Sequence, residues 1–291
     1  MIYELTTGVI DLKIKSLGAE LISLYDKTTD TEYMWDANPE FWSRTSPVLF
    51  PFVGKLKNQQ YTYKGQTFNP KPHGFARDME FEVVESTDDK IVFHIKDDEK
   101  TKAVYPFSFD FFIQYKVEGR QVTVSFKVKN NTDEDMYFSL GAHPGFKCPL
   151  NREENRRDYY IGFDGADKII SRGVDISTGL VNEQNTEISL EDGLLPIADD
   201  LFQNDALVLE NNQVKKVTLY NAEKKPYLSL EMEAPVYGIW SAATLASPFV
   251  CIEPWFGRCD ASNFSGSLQE REYQNVLNPG QCFKTHYTIS V

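Results

Sequence analysis

Cysteine is scarce in this 291-residue chain: Cys148, Cys251, Cys259 and Cys282 are the only four, and none forms a C-x-x-C pair. That spacing signals neither a zinc site nor a disulfide framework, which leaves reduced structural thiols as the expectation. No apolar run approaches the ~18 residues that cross a bilayer. The opening Met1-Ile2-Tyr3-Glu4-Leu5-Thr6-Thr7 has no basic n-region and no apolar h-region, so a soluble, cytoplasmic protein is expected. Positive charge is in deficit, with 30 Lys and Arg against 43 Asp and Glu and a net charge of −13. Such a field repels phosphate backbones and anionic membranes, so neither nucleic acid nor a membrane is an expected partner. Also missing are a Gly-rich phosphate loop, a Ser/His/Asp or Cys/His nucleophile signature, and a repeat at fixed period. What the chain does have is 20 Phe, 15 Tyr and 41% hydrophobic residues, enough for a sizeable packed core.

Period-two alternation recurs from end to end, often as two runs joined by a turn signal, the pattern of antiparallel hairpins. Residues 80–84 and 91–96 flank Asp88-Asp89, residues 108–117 and 121–129 flank Glu118-Gly119, and residues 217–221 and 227–231 flank a Lys-Lys-Pro turn. Residues 9–14 and 20–24 open the chain in the same way, and runs at 205–209, 237–242, 248–253 and 283–291 extend it. Helical periodicity is confined to short stretches near 39–42 and 268–276. The pattern predicts an all-β protein, one large twisted antiparallel β-sandwich forming a single domain over residues 1–291. The charge-dense stretch 151–157 reads as an exposed loop or short helix.

Polar residues that break the alternation are candidates for a site. Of the four histidines, His94, on a face with Val92 and Lys96, and His286, on a face with Lys284, Thr288 and Ser290, read as ordinary solvent-face residues. His73 and His143 differ, because Pro72-His73-Gly74 and Ala142-His143-Pro144-Gly145 interrupt regular strands and present each imidazole from a turn or strand end. The alternative for each is a histidine that satisfies loop carbonyls. In Phe249-Val250-Cys251-Ile252-Glu253-Pro254, alternation places Glu253 among apolar side chains, where burial raises a carboxyl pKa, and Pro254 suggests a strand end. A structural alternative pairs Glu253 with Arg258 or Arg77. Asp205, opening the 205–209 run, and Lys55, following Gly54, are weak signals taken alone.

Taken in order, Gly18-Ala19-Glu20-Leu21, Leu49-Phe50-Pro51-Phe52-Val53-Gly54-Lys55-Leu56, His73-Gly74-Phe75-Ala76-Arg77-Asp78, Gly141-Ala142-His143-Pro144-Gly145-Phe146 and Glu253-Pro254-Trp255 resemble the aldose 1-epimerase (mutarotase) family over nearly the whole chain. The similarity is closest to its branch of bacterial LacX-related proteins. The resemblance implies a β-supersandwich that binds a hexose in an open cleft and interconverts its α and β anomers without cofactor or metal. It implies Glu253 as general base, His143 as general acid on the ring oxygen and His73 as a second donor near that oxygen. Lys55 and Asp205 would bind sugar hydroxyls; Lys55 stands where the family usually has arginine, so a bidentate contact is lost. Arg77 is a further substrate-binding candidate. Trp240 could offer an aromatic face to the sugar, against the alternative of a core tryptophan.

Two other functions compete with this reading. A sister branch accepts hexose phosphates, for which Arg77 and Arg258 are the candidate anion ligands. A non-catalytic carbohydrate-binding or regulatory module is the other, but a pure binder has no use for a facing acid and base. A monomer or homodimer is expected.

Overall fold

A strand that alternates apolar and polar residues can bury one face only by lying in a sheet packed against another layer. Phe109–Glu118 and Gln121–Asn130 do this over ten residues each, with alternate side chains buried and those between them, Phe112 included, half-buried except at the exposed ends Glu118 and Gln121. The computed structural model describes residues 1–151, 153–243 and 247–291. Its strands form two large antiparallel sheets. A nine-stranded sheet runs, in spatial order, Leu194–Pro196, Tyr160–Phe163, Lys216–Tyr220, Pro226–Glu231, Cys282–Ser290, Gln121–Asn130, Phe109–Glu118, Lys90–Lys96 and Glu82–Ser86. An eight-stranded sheet runs Leu180–Ser189, Lys168–Asp175, Leu207–Glu210, Val236–Trp240, Phe249–Phe256, Leu140–Ala142 and Val48–Leu49, with Gly145–Lys147 also pairing to Phe249–Phe256. The four N-terminal strands, Ile2–Thr6, Ile10–Lys15, Glu20–Asp26 and Thr31–Glu32, make a smaller sheet of their own. The expected large antiparallel β-sandwich is thus the observed architecture.

The core between the sheets is aromatic. Phe50, beside the Val48–Leu49 strand, stacks on Phe111 of the nine-stranded sheet with centroids 4.7 Å apart, and meets Phe109 edge-on at 5.1 Å. One contiguous cluster of buried side chains extends from Leu5 to Ile289. Val250 and Ile252 enter that cluster with Ile239. Their strand neighbours Phe249, Cys251, Glu253 and Trp255 consequently face away from it, where Trp35 and Leu49 belong to separate, smaller clusters. That second face of the eight-stranded sheet carries the site described below.

Several local expectations are corrected. Residues 39–42 form a turn, with Phe41 and Trp42 N–H both donating to Asn38 O. Residues 268–276 split into a three-residue 3₁₀ turn, Leu268–Glu270, and a strand, Asn275–Leu277, that pairs with Met136–Phe138. The one short α-helix among the described residues, Glu99–Lys102, is capped by Asp98 and was not foreseen. Pro254 does not end its strand, because Tyr237 is its partner and the Phe249–Phe256 strand continues past it. Asp205 lies before its strand, which begins at Leu207; it occupies a left-handed turn position with φ 72°. In residues 151–157, Arg152 is outside the described residues. Arg156 is only 6% exposed and donates to Ser241 Oγ and Ser247 O, so the stretch is not uniformly exposed. His94 is held between Glu82 and Asp110, at 3.0 and 2.8 Å, instead of lying free on the solvent face; His286 is exposed as expected. All four cysteines are unpaired, Cys148 and Cys251 being buried and Cys282 exposed.

Candidate active site

Glu253 projects from the middle of the Phe249–Phe256 strand with 1% of its surface exposed. Across the ladder its partner is Gly238. A Cβ at Gly238 would lie 2.4 Å from the Trp255 ring, and one at Gly141 would lie 2.8 Å from it. These two glycines therefore let the Trp255 indole lie flat across neighbouring strands, next to Glu253 on the same face.

His143 sits between the strands Leu140–Ala142 and Gly145–Lys147, its N–H donating to Pro47 O at 3.1 Å. Pro144 lacks an N–H, but its carbonyl accepts from Ile252 N–H at 3.2 Å, which ties this corner to the strand of Glu253. The His143 ring stacks on Trp42 at 4.7 Å and meets Trp240 edge-on at 5.6 Å. Between those two rings its Nε2 lies 3.3 Å from Glu253 Oε2. His73 has φ 64°. Its N–H donates to Gly54 O at 2.9 Å and its Nδ1 accepts from Gly54 N–H at 3.2 Å. Because Nδ1 is an acceptor, the neutral ring keeps its proton on Nε2 as a donor. Gly74 makes this turn: its φ is +71°, and a Cβ there would overlap Phe50 O at 2.2 Å. The His73 and His143 rings are 5.9 Å apart.

One open cleft of about 580 Å³ gathers Lys55, His73, Arg77, His143, Asp205, Trp240 and Glu253, so all seven residues singled out in the sequence share it. Its size is that of small-molecule sites generally. The stem of Lys55 lies against Gly179, where a Cβ would come within 2.8 Å. Arg77 is braced by donating to Pro72 O at 2.8 Å. Asp205 Oδ1 accepts from Ala206 N–H at 2.8 Å. Trp240 is both wall and packing, since it lines the cleft and leans on Trp42 and Phe249. The alternative ion pairs for Glu253 are not what forms: Arg258 holds Glu210 at 2.6 Å and also Glu272, while Arg77 turns to Pro72.

Sequence reasoning missed much of the wall. Trp42 falls in the stretch expected to be helical, and Val174, Ile176 and Gly179 come from a distant hairpin. Ile176 carried a signal, an apolar residue in a turn and 65% exposed at the cleft rim. Arg44 pairs with Asp78 at 2.7 Å, and its charge reaches both histidines. A larger cavity of about 650 Å³ lies between Trp35 and Arg157, but its Asp36, Glu153, Glu154 and Arg157 are solvent-exposed and screened.

The electrostatics favour neutral groups. Burial raises the Glu253 carboxyl well above its ordinary range, the nearby Asp205 charge adds to this, and the Trp255 indole N–H opposes it. Burial holds His143 well below an ordinary imidazole, with His73 as the next cause. Burial, then the charges of Arg77, Arg44 and Lys55, push His73 down to about 3. Burial moves the two groups in opposite directions, the carboxyl up and the imidazole down, and a single proton held by the pair leaves one acid and one base.

The fold around this cleft is the galactose mutarotase-like β-supersandwich. The aldose 1-epimerase family profile matches residues 1–290, and the chain belongs to that family. Protein LacX of Lactococcus lactis subsp. lactis, in its plasmid form, is 30% identical over 299 residues, covering 100% of this chain and 99% of its own. A galactose mutarotase related enzyme from Lactobacillus acidophilus superposes with TM-score 0.94 at 37% identity, covering 100% of this chain and 97% of that one. A galactose mutarotase-like protein from Lactobacillus casei gives TM-score 0.91 at 26% identity, with coverage of 100% and 99%.

Proposed function

We propose that the protein is an aldose 1-epimerase acting on a free hexose, with Glu253 and His143 as the acid–base pair. The observation that carries this is the 3.3 Å approach of His143 Nε2 to Glu253 Oε2 on the floor of an open cleft. Mutarotation needs a base to take the proton of the anomeric hydroxyl and an acid to protonate the ring oxygen as the C1–O bond breaks. The resulting open-chain aldehyde turns about C1–C2, the ring closes on the other face of the carbonyl, and the two protons return. Each half-reaction moves one proton onto the enzyme and one off it, so the pair is regenerated. With Glu253 as base and His143 as acid, the neutral Nε2–H of His73 is a second donor to the ring oxygen. Lys55, Arg77 and Asp205 hold hydroxyls, and Trp240 with Trp42 offers aromatic surface to the sugar C–H face. We read residues 1–291 as one such domain, a reading supported by the continuous buried cluster from Leu5 to Ile289.

Lys55 and Arg77 on the cleft wall favour a second substrate class, hexose 6-phosphates. Freshly dissolved α-D-glucose and α-D-galactose, followed by polarimetry or anomeric proton NMR, test both classes when hexose 6-phosphates are run beside them. Acceleration above the spontaneous rate, reduced by about 10²–10⁴ in Glu253→Gln and His143→Ala, is the expected result. No acceleration with any of these sugars would leave a sugar-binding module.

A further inference from the structure

Cys251 lies two residues before Glu253 on the same strand face, buried beneath the cleft floor with Trp35 and Phe249. One ligand atom each from His143, Cys251 and Glu253 falls within a sphere where all three are within 4.8 Å of one another. We propose that these three side chains form a binding site for a soft divalent cation, zinc in particular, which blocks the acid–base pair reversibly. The sequence did not signal it because Cys251 forms no C-x-x-C pair; the thiol and the imidazole lie more than a hundred residues apart in the chain.

Three observations support the assignment. The donor set, imidazole, thiolate and carboxylate, is drawn from the groups that ligate zinc, and tetrahedral zinc places such donors about 3.5 Å apart. The His143–Glu253 edge is already 3.3 Å, so only the thiol has to close in. One of the buried ligand atoms concerned, Glu253 Oε2, has no hydrogen-bond partner in the described structure, so a cation displaces no existing hydrogen bond of that atom. Charge balances too: Zn²⁺ with one thiolate, one carboxylate and one neutral imidazole is a neutral site, which suits a buried position. The reaction is ligand exchange without redox change. The Cys251 S–H loses its proton to solvent, as does Glu253 if protonated, sulfur and oxygen bond to the metal, and waters leave its hydration shell. Cleft water completes the fourth position. The inhibitory consequence rests on the mutarotase reading; the binding does not.

Cobalt(II) titration of the full chain tests the site directly, because a thiolate-to-cobalt charge-transfer band reports Cys251 ligation without any enzymatic readout. We expect one equivalent to produce the band in the wild type and in Cys282→Ala, and its loss in Cys251→Ala. Thermal unfolding verifies that each variant folds, with Cys251→Ser as the second variant. Zinc competition should show affinity at least tenfold weaker in both Cys251 variants, and zinc should abolish wild-type mutarotation until a chelator restores it. Absence of cobalt uptake in the wild type, or zinc affinity in folded Cys251→Ala within threefold of wild type, overturns the proposal. Cobalt binding through Cys251 in a protein that accelerates no sugar would uphold the site and sink the mutarotase reading.

Discussion

Replacing His73 by Asn removes one titrating ring while sparing the turn that holds it. Asn tolerates the left-handed φ of 64°, and its Oδ1 can still accept the Gly54 N–H. In the folded wild type His73 stays neutral down to about pH 3. In the unfolded chain it takes up a proton at the ordinary imidazole value of about 6.5. A base whose folded pKa is depressed contributes stability that is complete above the unfolded value and is lost as pH falls toward the folded one. At pH 5 the loss is set by the unfolded-state value alone, because the folded ring is still unprotonated there. It amounts to about 1–2 kcal/mol relative to pH 8, the lower figure allowing for the water that reaches a partly exposed residue. Urea unfolding of wild type and His73→Asn at pH 8 and pH 5 measures it. The variant should lose about 1–2 kcal/mol less than wild type between the two pH values. Equal losses in the two proteins, to within about 0.3 kcal/mol, would refute the assignment of a neutral His73.

Two further outcomes follow from the geometry of the cleft. Asp205→Asn removes an anion that helps hold Glu253 protonated, so the acid limb of the kcat/KM pH profile, where the base is lost to protonation, should move to lower pH, read from rates across pH 5–10; an unmoved limb would break the link between Asp205 and Glu253. Gly238→Ala inserts a methyl 2.4 Å from the Trp255 ring, and should lower stability by about 1–3 kcal/mol and raise KM by shifting the cleft floor. Denaturant unfolding and initial rates check both effects, and wild-type values for both would show that the floor is not held as described.

Much of the fold was legible because strand alternation is a local property. The runs 108–117 and 121–129 appear as Phe109–Glu118 and Gln121–Asn130, displaced by a residue at most at each end. Segments without a strong period were misread. Residues 39–42 and 268–276 have apolar spacing that suits a short helix, yet Trp42 is spent on stacking with His143 and residues 275–277 on pairing with Met136–Phe138. Tertiary contacts override weak local preference when a segment is only a few residues long. Pro254 suggests a strand end in the sequence, but a proline is compatible with a strand wherever its missing N–H faces no required partner.

The candidate site divides in the same way. Broken alternation singled out Glu253, and Pro and Gly around His73 and His143 marked unusual backbone, because these are statements about neighbours in the chain. The sequence by itself thus determined the fold class, the family and the residue types on offer. Only the tertiary structure decided that the seven candidates share one cleft, that His143 rather than Arg258 faces Glu253, and that Cys251 lies under the pair. The reason is physical: a strand's period specifies which face a side chain takes, whereas distances between strands, and with them burial, pKa and ligand geometry, depend on how whole sheets pair and pack.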